Sequence, residues 1–169
     1  MVLGSIALRL NQLALLAAML CAALTGAGQA QAAPAWQNFD LARWQAMTQP
    51  AARPTVAVFT TTDCAYCPQT IHSLATQLHA RGQHAAKLAI VVMDGAELTS
   101  DLAKSHHYQM ADALYAFRGA EMPLRYAVDP QWRGETPYVV LIFADGSRKQ
   151  YIGAPPAADL SAFLKTARR

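Results

Sequence analysis

The chain has 169 residues, a formal charge of +3, and a composition that is 53 % hydrophobic and 15 % charged. Basic residues cluster nowhere except at Arg168-Arg169, so nothing supports nucleic acid binding. Of three cysteines, Cys64 and Cys67 stand too close in sequence to staple distant parts of a fold, which excludes a disulfide-scaffold protein.

Residues 1–12 carry Arg9 and no acidic side chain, and an apolar run extends from Leu13 to Leu24. Small and polar residues follow, ending in Ala30-Gln31-Ala32. This pattern predicts a secretory signal peptide over 1–32, cut after Ala32. The run is shorter than the ~20 residues a membrane helix needs, although an uncleaved anchor is the alternative. Cys21 lies inside the run behind Leu20, where a lipoprotein would want a small residue, so it is expected to leave with the signal. Removing 32 of 169 residues leaves 137, enough for one domain with its own core. The signal has a bacterial form, so the periplasm, an oxidising space, is the expected destination.

Residues 33–53 read as a lead-in, with Phe39, Leu41, Trp44 and Met47 on one face of a short helix that Pro50 ends. A strand is predicted over 55–59. A helix follows from Cys67 to about Arg81, closed by Gly82. The β-branched run Leu88–Met93 predicts a second buried strand that stops at Asp94-Gly95. Leu98, Leu102, Met110, Leu114 and Phe117 give residues 97–118 a helical pattern. Another helix starts near Glu121-Met122-Pro123 and contains Leu124-Arg125-Tyr126. After a loop over 128–136 come a strand from Tyr138 to Phe143, a turn at Asp145-Gly146, and its partner from Lys149 to Ile152. Leu160, Phe163 and Leu164 mark a closing helix. Strands separated by helices imply parallel pairing, and the terminal hairpin adds an antiparallel edge. The expected class is α/β, a mixed central sheet with helices on both faces.

The chemistry centres on Cys64-Ala65-Tyr66-Cys67, placed between an apolar strand and an amphipathic helix. Such a dithiol can cycle with a disulfide. The helix N-terminus favours negative charge on the first sulfur, whereas the neighbouring carboxylate of Asp63 opposes it. Cys64 is therefore the expected nucleophile and Cys67 the resolving cysteine. Tyr66 between them offers an aromatic surface or is a plain spacer. The same pair with His72 could instead form a soft-metal site for copper or zinc, with His106, His107 and Met110 as further donors. The spacing does not close a tetrahedral site, and adjacent His106 and His107 would point apart on a helix.

The Cys-x-x-Cys after a strand, together with Thr136-Pro137 directly before the strand at Tyr138, resembles the thioredoxin superfamily over roughly residues 54–169. The resemblance implies a thioredoxin-like fold and a cis proline at 137. It also implies that Thr136 and Pro137 form a substrate platform beside the dithiol, with Tyr66 nearby. Val128–Pro137 is similar to the periplasmic TlpA/ResA-type reductants. Val58–Cys67 looks more like the DsbC/DsbG isomerases, although the residues ahead of it do not read as the N-terminal dimerisation domain expected of that branch. Asp63 stands where thioredoxins and TlpA-like proteins commonly carry Trp. Val58 stands where cytoplasmic thioredoxin has a buried Asp, so Glu121 and Glu135 are the candidate substitute proton acceptors. The implied partners are exported proteins with disulfides or thiols and a membrane electron donor or acceptor of the Dsb type. No cofactor is implied.

Overall fold

The computed structural model describes residues 34–82, 85–97, 102 and 105–166. The expected signal peptide lies outside the described residues, as does Leu98. The elements in chain order are β1 (Trp36–Phe39), α1 (Leu41–Met47), β2 (Thr55–Thr60), α2 (Cys67–Ala80) and β3 (Lys87–Val92). A 3₁₀ turn at His106–Tyr108 precedes β4 (Ala113–Phe117). Then come α3 (Glu121–Val128), β5 (Tyr138–Ile142), β6 (Arg148–Ile152) and α4 (Ala157–Thr166). Among the described residues, no helix is long and apolar enough to cross a membrane.

The strands form one six-stranded sheet in the order β1-β4-β3-β2-β5-β6. β1, β4, β3 and β2 run parallel, β5 is antiparallel to β2, and β6 closes the hairpin antiparallel to β5. This matches the mixed sheet expected from the alternation of strands and helices. The turn of the hairpin needs Gly146, whose φ is +85° and whose α-hydrogen faces the Thr48 carbonyl. A Cβ there would come within 2.6 Å of that oxygen.

Strand alternation sorts the core into two layers. Val56 and Val58 of β2 face a cluster built from Ile71, Leu74 and Leu78 of α2 and Leu160, Phe163 and Leu164 of α4. Ala57 and Phe59 face the opposite cluster, which holds Trp44 of α1 and Leu124 and Val128 of α3. Helices therefore cover both faces, and β2 is buried along its whole length. The spacing Ile71, Leu74, Ala75, Leu78 is what keeps α2 on the sheet. Gly82, at φ +100°, lies just past the C-cap Arg81, where a left-handed residue ends a helix without steric cost.

Two expectations are corrected. Residues 97–118 are not helical throughout: Ala113–Phe117 is a strand, and all five of its residues are buried. β4 lies between β3 and β1 with both faces covered, so its sequence is a continuous apolar run. The helical spacing of Met110, Leu114 and Phe117 is a by-product of that run. Phe39 is likewise not on the α1 face but ends the short strand β1, paired with Phe117. Leu41 is half exposed, and Trp44 is the α1 residue that enters the core, donating its Nε1–H to the Ala127 carbonyl at 2.8 Å.

Candidate functional site

β2 delivers the chain to the site. Its last residue, Thr60, is fully buried, and the chain then turns through 61–66 before α2 begins at Cys67. Two turn hydrogen bonds shape this segment, from Cys64 N–H to the Thr61 carbonyl (3.4 Å) and from Cys67 N–H to the Cys64 carbonyl (3.3 Å). The second places the two cysteines face to face, with Cα atoms 5.4 Å apart and the sulfurs joined in a disulfide. Cys67 is the first residue of the helix, so Cys64 sits on the approach to the helix mouth rather than inside the helix. Cys67 is 2 % exposed, Cys64 is half-buried, and Tyr66 projects into solvent at 75 % exposure. Pro68 falls in the first turn, where a missing N–H costs nothing.

Thr136-Pro137 is a cis peptide, as the resemblance implied. β5 pairs Tyr138 with Phe59, so this peptide lies at the end of the sheet from which the cysteine turn departs. The Pro137 carbonyl accepts from Gly153 N–H at 2.7 Å, which ties it to the end of β6. Thr136 is half-buried beside it.

The loop leading to Pro137 is held from below. The Trp132 ring stacks on Tyr138, with centroids 4.4 Å apart and planes 13° apart, and meets the edge of Phe59 at 5.1 Å. Trp132 Nε1–H donates to the Glu135 carbonyl at 2.9 Å. The Tyr138 hydroxyl donates to Asp129 Oδ2, while Asp129 Oδ1 accepts from Gln131 N–H. Burial, with the Asp129 hydrogen bond and charge, raises the Tyr138 pKa well above its ordinary value and keeps the hydroxyl a donor. Trp132 is thus buried as packing beneath the loop. The Tyr138–Asp129 lock was missed, because the loop carried no pattern that paired them.

Glu121 and Glu135 do not stand as free proton acceptors. Glu121 pairs with Arg125 at 3.0 Å one turn along α3, and Glu135 Oε2 accepts from the Arg133 N–H at 3.1 Å. Val58 is fully buried in the core, so apolar packing fills that position. A second carboxylate reaches the cysteine turn instead. Asp94, at the end of β3, accepts from Thr62 N–H (2.9 and 3.1 Å) and from Thr62 Oγ1 (2.6 Å). Asp94-Gly95 was legible only as the end of a strand.

The alternative metal donors are dispersed. His72 is exposed on α2, and His106 is exposed on the 3₁₀ turn. His107 lies against Tyr108 with ring centroids 4.1 Å apart and shares a hydrogen bond with Ser105 Oγ, and burial lowers its pKa. Met110 packs against the α2 side of the core. Among the described residues, no three His, Cys, Asp or Glu side chains are grouped to hold a metal ion.

No family model matches the chain, and no curated protein matches its sequence. Solved structures do match its shape. A candidate thioredoxin of Neisseria meningitidis aligns with a TM-score of 0.51 at 19 % identity, over 73 % of this chain and 79 % of that one. The N-terminal domain of PilB from Neisseria gonorrhoeae gives 0.51 at 16 %, over 70 % and 80 %. The thioredoxin domain of a thiol-disulfide oxidoreductase from Bacteroides vulgatus gives 0.50 at 13 %, over 68 % and 78 %. At such identities the likeness is one of architecture, and with the six-stranded mixed sheet and its two helical layers it establishes that this chain has a thioredoxin-like fold.

Proposed function

We propose that the protein is an exported thiol:disulfide oxidoreductase, acting in the periplasm on disulfides of other exported proteins. The observation that carries this reading is the Cys64–Cys67 disulfide at the mouth of α2, with one sulfur-bearing residue half-buried and the other enclosed. In the reductive direction the Cys64 thiolate attacks one sulfur of a client disulfide. A Cys64–client mixed disulfide forms and the other client sulfur leaves as a thiolate. Cys67 loses its proton and attacks the Cys64 sulfur, which re-forms Cys64–Cys67 and releases the second client thiolate. Two electrons pass from the protein dithiol to the client, and a membrane donor of the Dsb type restores the dithiol.

The dipole of α2, whose N-terminus carries no side-chain cap, favours negative charge on Cys64 during attack. Asp63 opposes that charge, which suits a reductant or isomerase better than a strong oxidant. Thr136, beside a Pro137 whose carbonyl is already engaged, is the backbone edge offered to an extended client segment. Tyr66, exposed between the two cysteines, offers the client a further aromatic surface. Equilibration against glutathione tests the direction. A reduction potential near the thioredoxin value of about −270 mV supports it, and one near the DsbA value of about −120 mV overturns it.

A further inference from the structure

We infer that Asp94 is the positioning residue of the cysteine turn: from the end of β3 it clamps Thr62 and thereby sets where Cys64 is presented. The inference rests on the reading of Cys64 as the attacking sulfur and goes beyond it by naming what holds that sulfur in place.

β2 and β3 run parallel and in register to Thr60 and Val92, and Met93 N–H continues the ladder to the Thr60 carbonyl at 2.9 Å. Beyond this point the two chains diverge. The 61–66 segment must then be fixed by something other than the sheet, because Thr62, Asp63, Ala65 and Tyr66 are all exposed. Thr60 Oγ1 donates to the Thr61 carbonyl at 3.1 Å, and Cys64 N–H donates to the same oxygen. These bonds are local to the turn and do not attach it to the rest of the protein. The far end of the segment is tied to α2 by the Cys67 N–H bond to the Cys64 carbonyl and by the disulfide. Attachment on the strand side comes from Asp94, whose two carboxylate oxygens receive both the backbone N–H and the hydroxyl of Thr62, two residues before Cys64. An ionised acceptor with two donors on one residue fixes direction as well as distance. The residue fits the task chemically: Asp is short enough to hold the turn close to the strand end, and Thr62 supplies a second donor that Ala or Gly could not.

Disulfide exchange is sensitive to the placement of the attacking sulfur, since a displacement of about 1 Å can cost on the order of a hundredfold in rate. The clamp therefore acts on rate through Cys64 without touching the client. The test compares the parent with Asp94→Ala, Asp94→Asn and Thr62→Val. Three readouts are used: reduction of insulin disulfides, melting temperature, and hydrogen exchange at the Thr62 and Cys64 amides. Asp94→Ala is expected to slow insulin reduction by at least about tenfold. Its melting temperature stays near that of the parent, because Asp94 is exposed and buries no core surface. Asp94→Asn keeps an oxygen acceptor for Thr62 and is expected to restore the rate to within about threefold of the parent. Thr62→Val is expected to fall between them. Equal slowing by Asp94→Ala and Asp94→Asn would overturn the inference, because charge and not the hold would then be responsible. Parent-like rates in Asp94→Ala, or a rate loss that merely follows a fall in melting temperature, would overturn it as well. The amide readout separates this inference from the proposed function. If the parent reduced no disulfide, the functional reading would fail. Thr62 and Cys64 amides that exchanged faster in Asp94→Ala and not in Asp94→Asn would still establish the clamp, and unchanged exchange would remove it.

Discussion

Reducing Cys64–Cys67 should lower the folding stability by an amount the structure allows to be worked out. The disulfide joins residues three apart, so it closes a ring of four residues in the unfolded chain. Loop-closure entropy for so small a ring contributes about 2 kcal/mol at 25 °C. Against this stands any preference of the folded reduced form for a Cys64 thiolate, at about 1.4 kcal/mol for each pKa unit by which folding lowers that thiol. The α2 N-terminus works in that direction, and Asp63 works against it. With the two electrostatic effects opposed, the oxidised form is expected to remain the more stable by about 1–2 kcal/mol. By linkage this corresponds to a potential about 20–40 mV more reducing than that of the same pair in the unfolded chain. Urea unfolding of the oxidised and dithiothreitol-reduced protein at neutral pH measures the gap, with fluorescence of the buried Trp44 and Trp132 as the probe. A reduced form more stable than the oxidised one would refute the reasoning. Thiolate stabilisation would then outweigh ring closure, the behaviour of a strong oxidant.

Two further predictions concern the layer beneath the site. Phe59 is fully buried, with ring centroids at 5.1 Å from Trp132, 5.5 Å from Phe39 and 6.1 Å from Trp44. Phe59→Ala is expected to cost about 3–5 kcal/mol in urea unfolding, and a loss below about 1 kcal/mol would mean that the cluster collapses into the cavity. Tyr138 has a folded pKa raised above its unfolded value of 10.0. Its contribution is therefore complete below that pH and is lost as pH rises beyond it. Tyr138→Phe is expected to be less stable at neutral pH and to lose less stability than the parent above pH 10, and parallel alkaline profiles would contradict this.

The parts of the fold legible in the sequence were those with a one-sided pattern or a turn signal. The α2 stripe at Ile71, Leu74 and Leu78, the Asp145-Gly146 hairpin and the Leu160–Leu164 helix are of this kind. β4 was misread because a strand covered on both faces is a short apolar run, and periodicity does not separate such a run from a buried helix. β1 was missed because its four residues include Gln37 and Asn38, both exposed, and pairing with β4 alone defines it. At the site, Cys64, Cys67 and the Thr136-Pro137 peptide were readable as local motifs. Asp94 was not, because its partner Thr62 is 32 residues away and only the register of β2 on β3 brings them together.

The central claim is that Cys64 attacks a client disulfide and Cys67 releases it. The direct measurement incubates reduced Cys67→Ser and Cys64→Ser proteins with insulin and maps covalent adducts by peptide mass spectrometry. The account predicts a stable mixed disulfide on Cys64 in the Cys67→Ser protein and no stable adduct in the Cys64→Ser protein. An adduct that forms only through Cys67, or none in either protein, would contradict it.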